Sequence, residues 1–272
     1  MIDSYFDYID QGTKYSFKFY HITPKAAIDS VFMNEIKDKL LTNYRDLGMC
    51  KMHLQDKSES EIKQYVLDYM IPGTGAMDKI VRQGDWGEIL AALMVSHFQG
   101  LTIPINKIQW KFNKNKSVFG TDLIAFNTGN PIKEIYYYEI KTRQNSHKLE
   151  GKGTARSYVT IIAHDTLVKD EAAPNEMIAD FLMKLHWEKG DYVTAKKFSD
   201  IVTNPDNYDR KFELFFIVEE KDFDPNIFDE LNNLPPQLNP LCVTVLIVND
   251  LGRLIDDTWH EIETRMIHHI NG

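Results

Sequence analysis

The sequence is poor in cysteine, in linkers and in long apolar runs. Only Cys50 and Cys242 occur in 272 residues, and Cys242 lies inside the apolar stretch LCVTVLIV. That argues against a disulfide framework or a cysteine-based zinc site, and both residues read as ordinary thiols of a reducing compartment. No stretch reaches the ~18 uninterrupted apolar residues of a membrane span. The opening MIDSYFDYIDQG has neither the basic start nor the apolar core of a secretory leader. A cytoplasmic protein with no membrane association is expected. Excess positive charge is lacking too: 31 Lys plus Arg stand against 40 Asp plus Glu, a net charge of −9. General electrostatic attraction to DNA or anionic lipid is therefore not expected, and nucleic-acid binding would need a local patch, a metal ion or a partner. Internal repeats, low-complexity tracts and Gly/Ser linkers are also missing.

What is present suits a sizeable core, with 43% hydrophobic and 12% aromatic residues. After a short aromatic strand, Phe17 to Tyr20, a helical run opens at Pro24. Ala27, Ile28, Val31, Phe32, Ile36 and Leu40 recur in it at spacings of three and four. The stretch DKSESE at 56–61 reads as a loop into a further helix. From Asp85 a second helical stripe carries Trp86, Ile89, Leu90, Leu93, Met94 and His97 until Gly100 stops it. Three strand-like segments follow, Lys107 to Phe112, Val118 to Phe126 and Glu134 to Thr142, at the spacing of antiparallel hairpin neighbours. Helices are expected near Ala155 to Val168 and Asn175 to Glu188, then strands Phe212 to Glu219 and Leu241 to Asn249, then a closing helix Leu251 to Ile270. The order implies an α/β fold in which helices sandwich a mixed sheet, with a mainly helical region over residues 1–80 ahead of the main domain at 81–272.

One set of residues points to chemistry. In a strand, successive side chains alternate between faces, so Glu139 and Lys141 emerge together while Ile140 turns the other way. If the preceding strand sets Asp122 opposite them, two carboxylates and an ammonium converge, and Glu88 on the upstream helix offers a third carboxylate. Carboxylates so placed repel unless a cation lies between them, and a hard divalent ion such as Mg²⁺ or Mn²⁺ takes oxygen ligands and keeps waters. Such a site suits hydrolysis of a phosphodiester. Glu88 has a competing interpretation: Asp85 with Glu88 three residues on also reads as a capping box. Alone, Glu139 and Lys141 could be a plain ion pair on a strand face. The nine histidines form no HExxH or finger spacing and read as surface or capping residues. Pro72-Gly73-Thr74-Gly75 lacks the Gly-Lys-Ser/Thr of a phosphate loop and reads as a turn.

Gly120-Thr121-Asp122 followed by Tyr138-Glu139-Ile140-Lys141 resembles the PD-(D/E)xK nuclease superfamily, with Glu88 in the place of its helical glutamate and Thr121 where the signature proline would stand. More narrowly, RQGDWGEILAALM, FGTDLIAF and YYYEIKTRQNS, between residues 82 and 146, are similar to the nuclease-subunit family of the Hachiman anti-phage defence system. The resemblance implies a restriction-endonuclease-like core and a Mg²⁺- or Mn²⁺-dependent deoxyribonuclease with Asp122, Glu139 and Glu88 as metal ligands. It gives Lys141 a catalytic role, DNA as substrate, and a helicase subunit as the partner that restrains cutting. After the active strand, Arg143, Lys148, Lys152 and Arg156 stand against Glu150 alone and are candidate contacts to the DNA backbone. Two alternatives remain: a non-cleaving module that docks DNA and helicase on a nuclease fold, and a sequence- or structure-specific restriction or repair endonuclease.

Overall fold

The computed structural model describes residues 2–12, 14–44, 46–111, 113–116, 120–129, 131–143, 159–171 and 176–272. Among them six strands form one sheet: β1 (Phe6–Asp10), β2 (Lys18–Pro24), β3 (Leu123–Phe126), β4 (Glu134–Arg143), β5 (Asp209–Glu219) and β6 (Leu241–Val248). Their spatial order is β1-β2-β6-β5-β4-β3. The inner four run parallel, and the edge strands β1 and β3 pair antiparallel with their neighbours. The sequence explains the parallel centre. FELFFIVE and LCVTVLIV are almost unbroken apolar runs, as expected of strands covered on both faces, and every residue of β5 from Phe212 to Glu219 is buried.

One face is covered by α1 (Ser30–Tyr44), α4 (Ala76–Met94) and α8 (Leu251–Asn271), while α2 (Leu47–Leu54) and α3 (Glu59–Tyr65) pack on α8. Phe32, Ile36, Leu40, Trp86, Leu90 and Trp259 meet Tyr138, Ile140, Phe215 and Ile217 there. The other face carries α5 (Val159–Glu171), α6 (Glu176–Glu188) and α7 (Tyr192–Thr203). Ile161, Leu167, Leu182 and Phe198 pack against Tyr137, Leu214, Phe216 and Val245 on that side. Each such side chain contributes roughly 1.5–3 kcal/mol by leaving water. The α/β sandwich expected from the sequence is thus present.

α8 ties the layers together. Its first turn is capped from β5, where the Glu219 carboxylate accepts the N–H groups of Asp250 at 3.1 Å and Leu251 at 2.7 Å. It then braces α4: Trp86 Nε1 donates to Thr258 Oγ1 at 3.2 Å, and Trp259 Nε1 donates to the Arg82 carbonyl at 3.0 Å.

Several local expectations are corrected. Lys107–Trp110 is a single 3₁₀ turn, not the start of a strand. Its alternating composition mimics a strand, but the Lys107 and Lys111 ammoniums both turn inward to bonded partners, which a flat strand face would not allow. The strand expected from Val118 begins only at Leu123; residues 120–122 form a bend, and Val118 lies outside the described residues. α4 starts at Ala76, so Asp85 and Glu88 sit mid-helix and form no capping box. β1 and α7 lie outside the expected elements; β1 is too short to set a clear period, whereas α7 buries Ala195, Phe198 and Ile201 on one helical face. His164 is buried rather than on the surface.

Candidate active site

β4 sorts its side chains between the two layers. Tyr138 and Ile140 join the cluster under α4, and Tyr137 joins the one under α5 and α6. By alternation Glu139 and Lys141 share the face of Tyr137. The Glu139 side chain is 2% exposed and Lys141 18%, and the Lys141 ammonium is bonded to Glu139 Oε1.

Asp122 stands beside Glu139 through the β3–β4 register, which pairs Leu123 with Tyr138. The Asp122 N–H donates to the Tyr138 carbonyl at 3.1 Å, and the Ile140 N–H donates to Asp122 Oδ2 at 2.9 Å. The carboxylate thus takes the place of a backbone carbonyl and extends the ladder by one rung. That fixes its orientation.

Glu88 comes from α4. The helix approaches β4 closely at Gly87, where an added Cβ would lie 1.8 Å from Thr142 Oγ1. Burial pushes the Glu88 carboxyl up to about 8, the nearby Asp122 carboxylate adds to the rise, and Lys107 opposes it. One turn earlier Asp85 is buried and fully engaged: Lys111 Nζ lies 2.5 Å from both its oxygens, and the Tyr44 hydroxyl donates to Oδ2 at 3.0 Å.

Sequence reasoning missed Lys107. It is buried, donates to the Gly120 carbonyl at 3.0 Å and the Thr121 carbonyl at 2.7 Å, and lies 3.6 Å from Asp122 Oδ1. Two lysines four residues apart in the apolar-rich KIQWK were the available signal. A strand assignment hid it, because it sent both ammoniums to solvent.

The structure therefore gathers Asp122, Glu139 and Lys141 on the β3–β4 pair and brings Glu88 within electrostatic reach of Asp122. Arg143 ends the same strand, half-buried, with Nη1 donating to the Thr142 carbonyl at 3.0 Å, and burial lowers its guanidinium pKa. Lys148, Lys152 and Arg156 lie outside the described residues. The donors are carboxylates with no imidazole or thiolate, a chemistry that fits a hard divalent cation. Among the described residues, however, no three acidic, His or Cys side chains are drawn to the spacing of a coordination sphere. Instead, ammonium groups lie against Asp122 and Glu139.

No helix among the described residues is long and apolar enough to cross a membrane. No curated protein matches the chain. A family model, HamA, matches residues 7–258, a span that takes in Glu88, Asp122, Glu139 and Lys141. With almost its whole length matched, and with the sandwich and its acidic strand pair in place, the chain belongs to the HamA family, a component of the Hachiman anti-phage defence system.

Proposed function

We propose that this chain is the nuclease of its defence system, a metal-dependent deoxyribonuclease of the PD-(D/E)xK type. The observation that carries this is the placement of Asp122 beside Glu139 and Lys141 across β3 and β4. Asp122 and Glu139 would hold Mg²⁺ or Mn²⁺, with Glu88 reaching toward Asp122 from the α4 side of the sheet. Such an ion supplies Lewis acidity, acidifying a bound water and neutralising charge on the scissile phosphate.

The protein's own groups do the rest. Water adds to phosphorus, the ester P–O bond breaks, and the departing oxygen takes up a proton. Asp122, locked into the ladder by the Ile140 N–H, has its orientation set before substrate arrives. Lys141 is the more accessible member of the pair and would stabilise charge on a phosphate oxygen or orient the attacking water. Arg143, two residues on and on the same face, extends that positive edge along the DNA backbone, and Lys148, Lys152 and Arg156 continue it in sequence. A net charge of −9 makes the chain a poor DNA binder alone, which suits delivery and restraint by a helicase subunit of the same system.

The test is incubation of the purified chain with plasmid and linear DNA in Mg²⁺, Mn²⁺ or EDTA, with and without the cognate helicase subunit. Metal-dependent degradation should appear and be lost in both Glu139→Gln and Lys141→Ala. DNA binding without cleavage under every condition would instead assign the chain as a docking module. Cutting confined to one sequence or junction would assign it as a specific endonuclease.

A further inference from the structure

Lys107 stands outside the motif on which the nuclease reading rests. A buried ammonium is costly unless its donors are used and its charge is answered. Here two bonds go to the carbonyls of Gly120 and Thr121, and the charge is answered by Asp122 at 3.6 Å. The lysine thus ties down the bend from which Asp122 reaches the Ile140 N–H. Four residues on, Lys111 does the same for Asp85 of α4, so one short turn holds both the bend and the helix.

Beside Lys107, Thr121 and Asp122 lies a crevice of about 10 Å³, otherwise walled by apolar residues such as Ile105 and Ile178. That is about the space of a single water. A divalent cation held by Asp122 would therefore meet the charge of the Lys107 ammonium, 3.6 Å from Oδ1.

We infer that Lys107 is a positioning residue that sets Asp122 in place and competes with the divalent cation for it, so that this ion pair holds down the metal affinity of the site. The inference rests on the metal-nuclease reading. Lys107 fixes the ligand's geometry through its two carbonyl bonds, and its charge opposes the ion through Coulomb repulsion. A glutamine at 107 separates the two effects, because its amide still donates to a carbonyl but carries no charge.

The experiment is a titration of the purified full chain with Mn²⁺, reading free Mn²⁺ by its paramagnetic resonance and using no substrate. Lys107→Gln should bind Mn²⁺ roughly three- to tenfold more tightly than the unmodified chain, the order expected for removing one charge near a divalent ion in a partly solvated site. Lys107→Arg, which keeps the charge, should bind no more tightly, and Asp122→Asn should bind more weakly. A merely structural lysine would give weaker binding in Lys107→Gln. A folded Lys107→Gln with unchanged or weaker Mn²⁺ binding would overturn the inference and leave the nuclease reading standing. An unmodified chain that binds no Mn²⁺, or an Asp122→Asn that binds it equally well, would instead remove the metal site itself. Should Lys107→Gln not fold, the ¹⁵N ammonium resonance of Lys107, assigned by its absence in Lys107→Arg, decides: it should shift as Mg²⁺ saturates the protein, and no shift would overturn the competition.

Discussion

Gly87 and Thr142 touch so closely that a Cβ on residue 87 would fall 1.8 Å from Thr142 Oγ1 and 3.0 Å from its Cβ. Helix α4 meets strand β4 here with bare main chain, and the next residue along the helix is Glu88. The absence of a side chain at 87 is thus what lets the helical carboxylate share a neighbourhood with Asp122.

Gly87→Ala should consequently separate the helix from the strand. Overpacking of this kind costs about 1–3 kcal/mol, partly offset by roughly 1 kcal/mol of better helix propensity. Cleavage should fall far more than stability, because Glu88 moves with the helix. Thr142→Ala in the same chain should restore part of both, since it removes the nearest atom. That hydroxyl is buried without a hydrogen-bond partner among the described residues, so losing it costs no bond. Urea unfolding together with a cleavage assay checks each outcome.

Asp85 and Lys111 form a buried pair whose halves cannot be removed singly. Asp85→Asn or Lys111→Met leaves one charge stranded and should cost about 3–5 kcal/mol, whereas Tyr44→Phe should cost about 1–3 kcal/mol through one lost charge-assisted bond. Replacing both members with apolar residues should be milder than either single change. Denaturant midpoints of the two singles and the double test this coupling directly.

Glu88 gives a pH dependence with a definite sign. Its carboxyl is raised to about 8 in the folded chain from an ordinary 4.5, first by burial and then by Asp122. Between those values the folded chain holds a proton that the unfolded chain has released, so Glu88 costs nothing below pH 4.5 and costs progressively more stability up to about pH 8. Glu88→Gln should remove that cost, gaining stability over the unmodified chain at pH 8 and matching it at pH 4. A metal that uses the carboxylate must displace the proton. Mn²⁺ binding at pH 6.5 should therefore release close to one proton and tighten as the pH rises toward 8, and calorimetry in buffers of different ionisation enthalpy reads both. Proton uptake on binding would contradict the assignment.

How much of this was legible in the sequence depends on how many neighbours each signal needed. Glu139 and Lys141 were legible because strand alternation is a local rule, and β4 to Arg143 lies almost where the residues IYYYEIKT placed it. Asp122 was legible for its spacing, but its ladder-like bond to Ile140 depends on where the strand stops, and the expected strand ran too far toward the N-terminus. Glu88 was ambiguous because Gly84 makes Asp85 look like a helix start, while α4 in fact runs straight through from Ala76. Lys107 was illegible for a stronger reason. Its position follows from three carbonyl and carboxylate oxygens on a bend more than ten residues away, and no periodic pattern encodes such a contact.

The role of the last helix in holding α4, and the insertion of β6 between β2 and β5, bear on the timing of activity during synthesis. A ribosome exposes Glu88, Asp122, Glu139 and Lys141 well before it makes β5, β6 and the pair Thr258 and Trp259. Domains of this kind assemble as units, so the acidic residues stay scattered along the nascent chain until β5, β6 and α8 have been made. On the nuclease reading, the acidic residues therefore come together only after the strands and the helix that hold them exist.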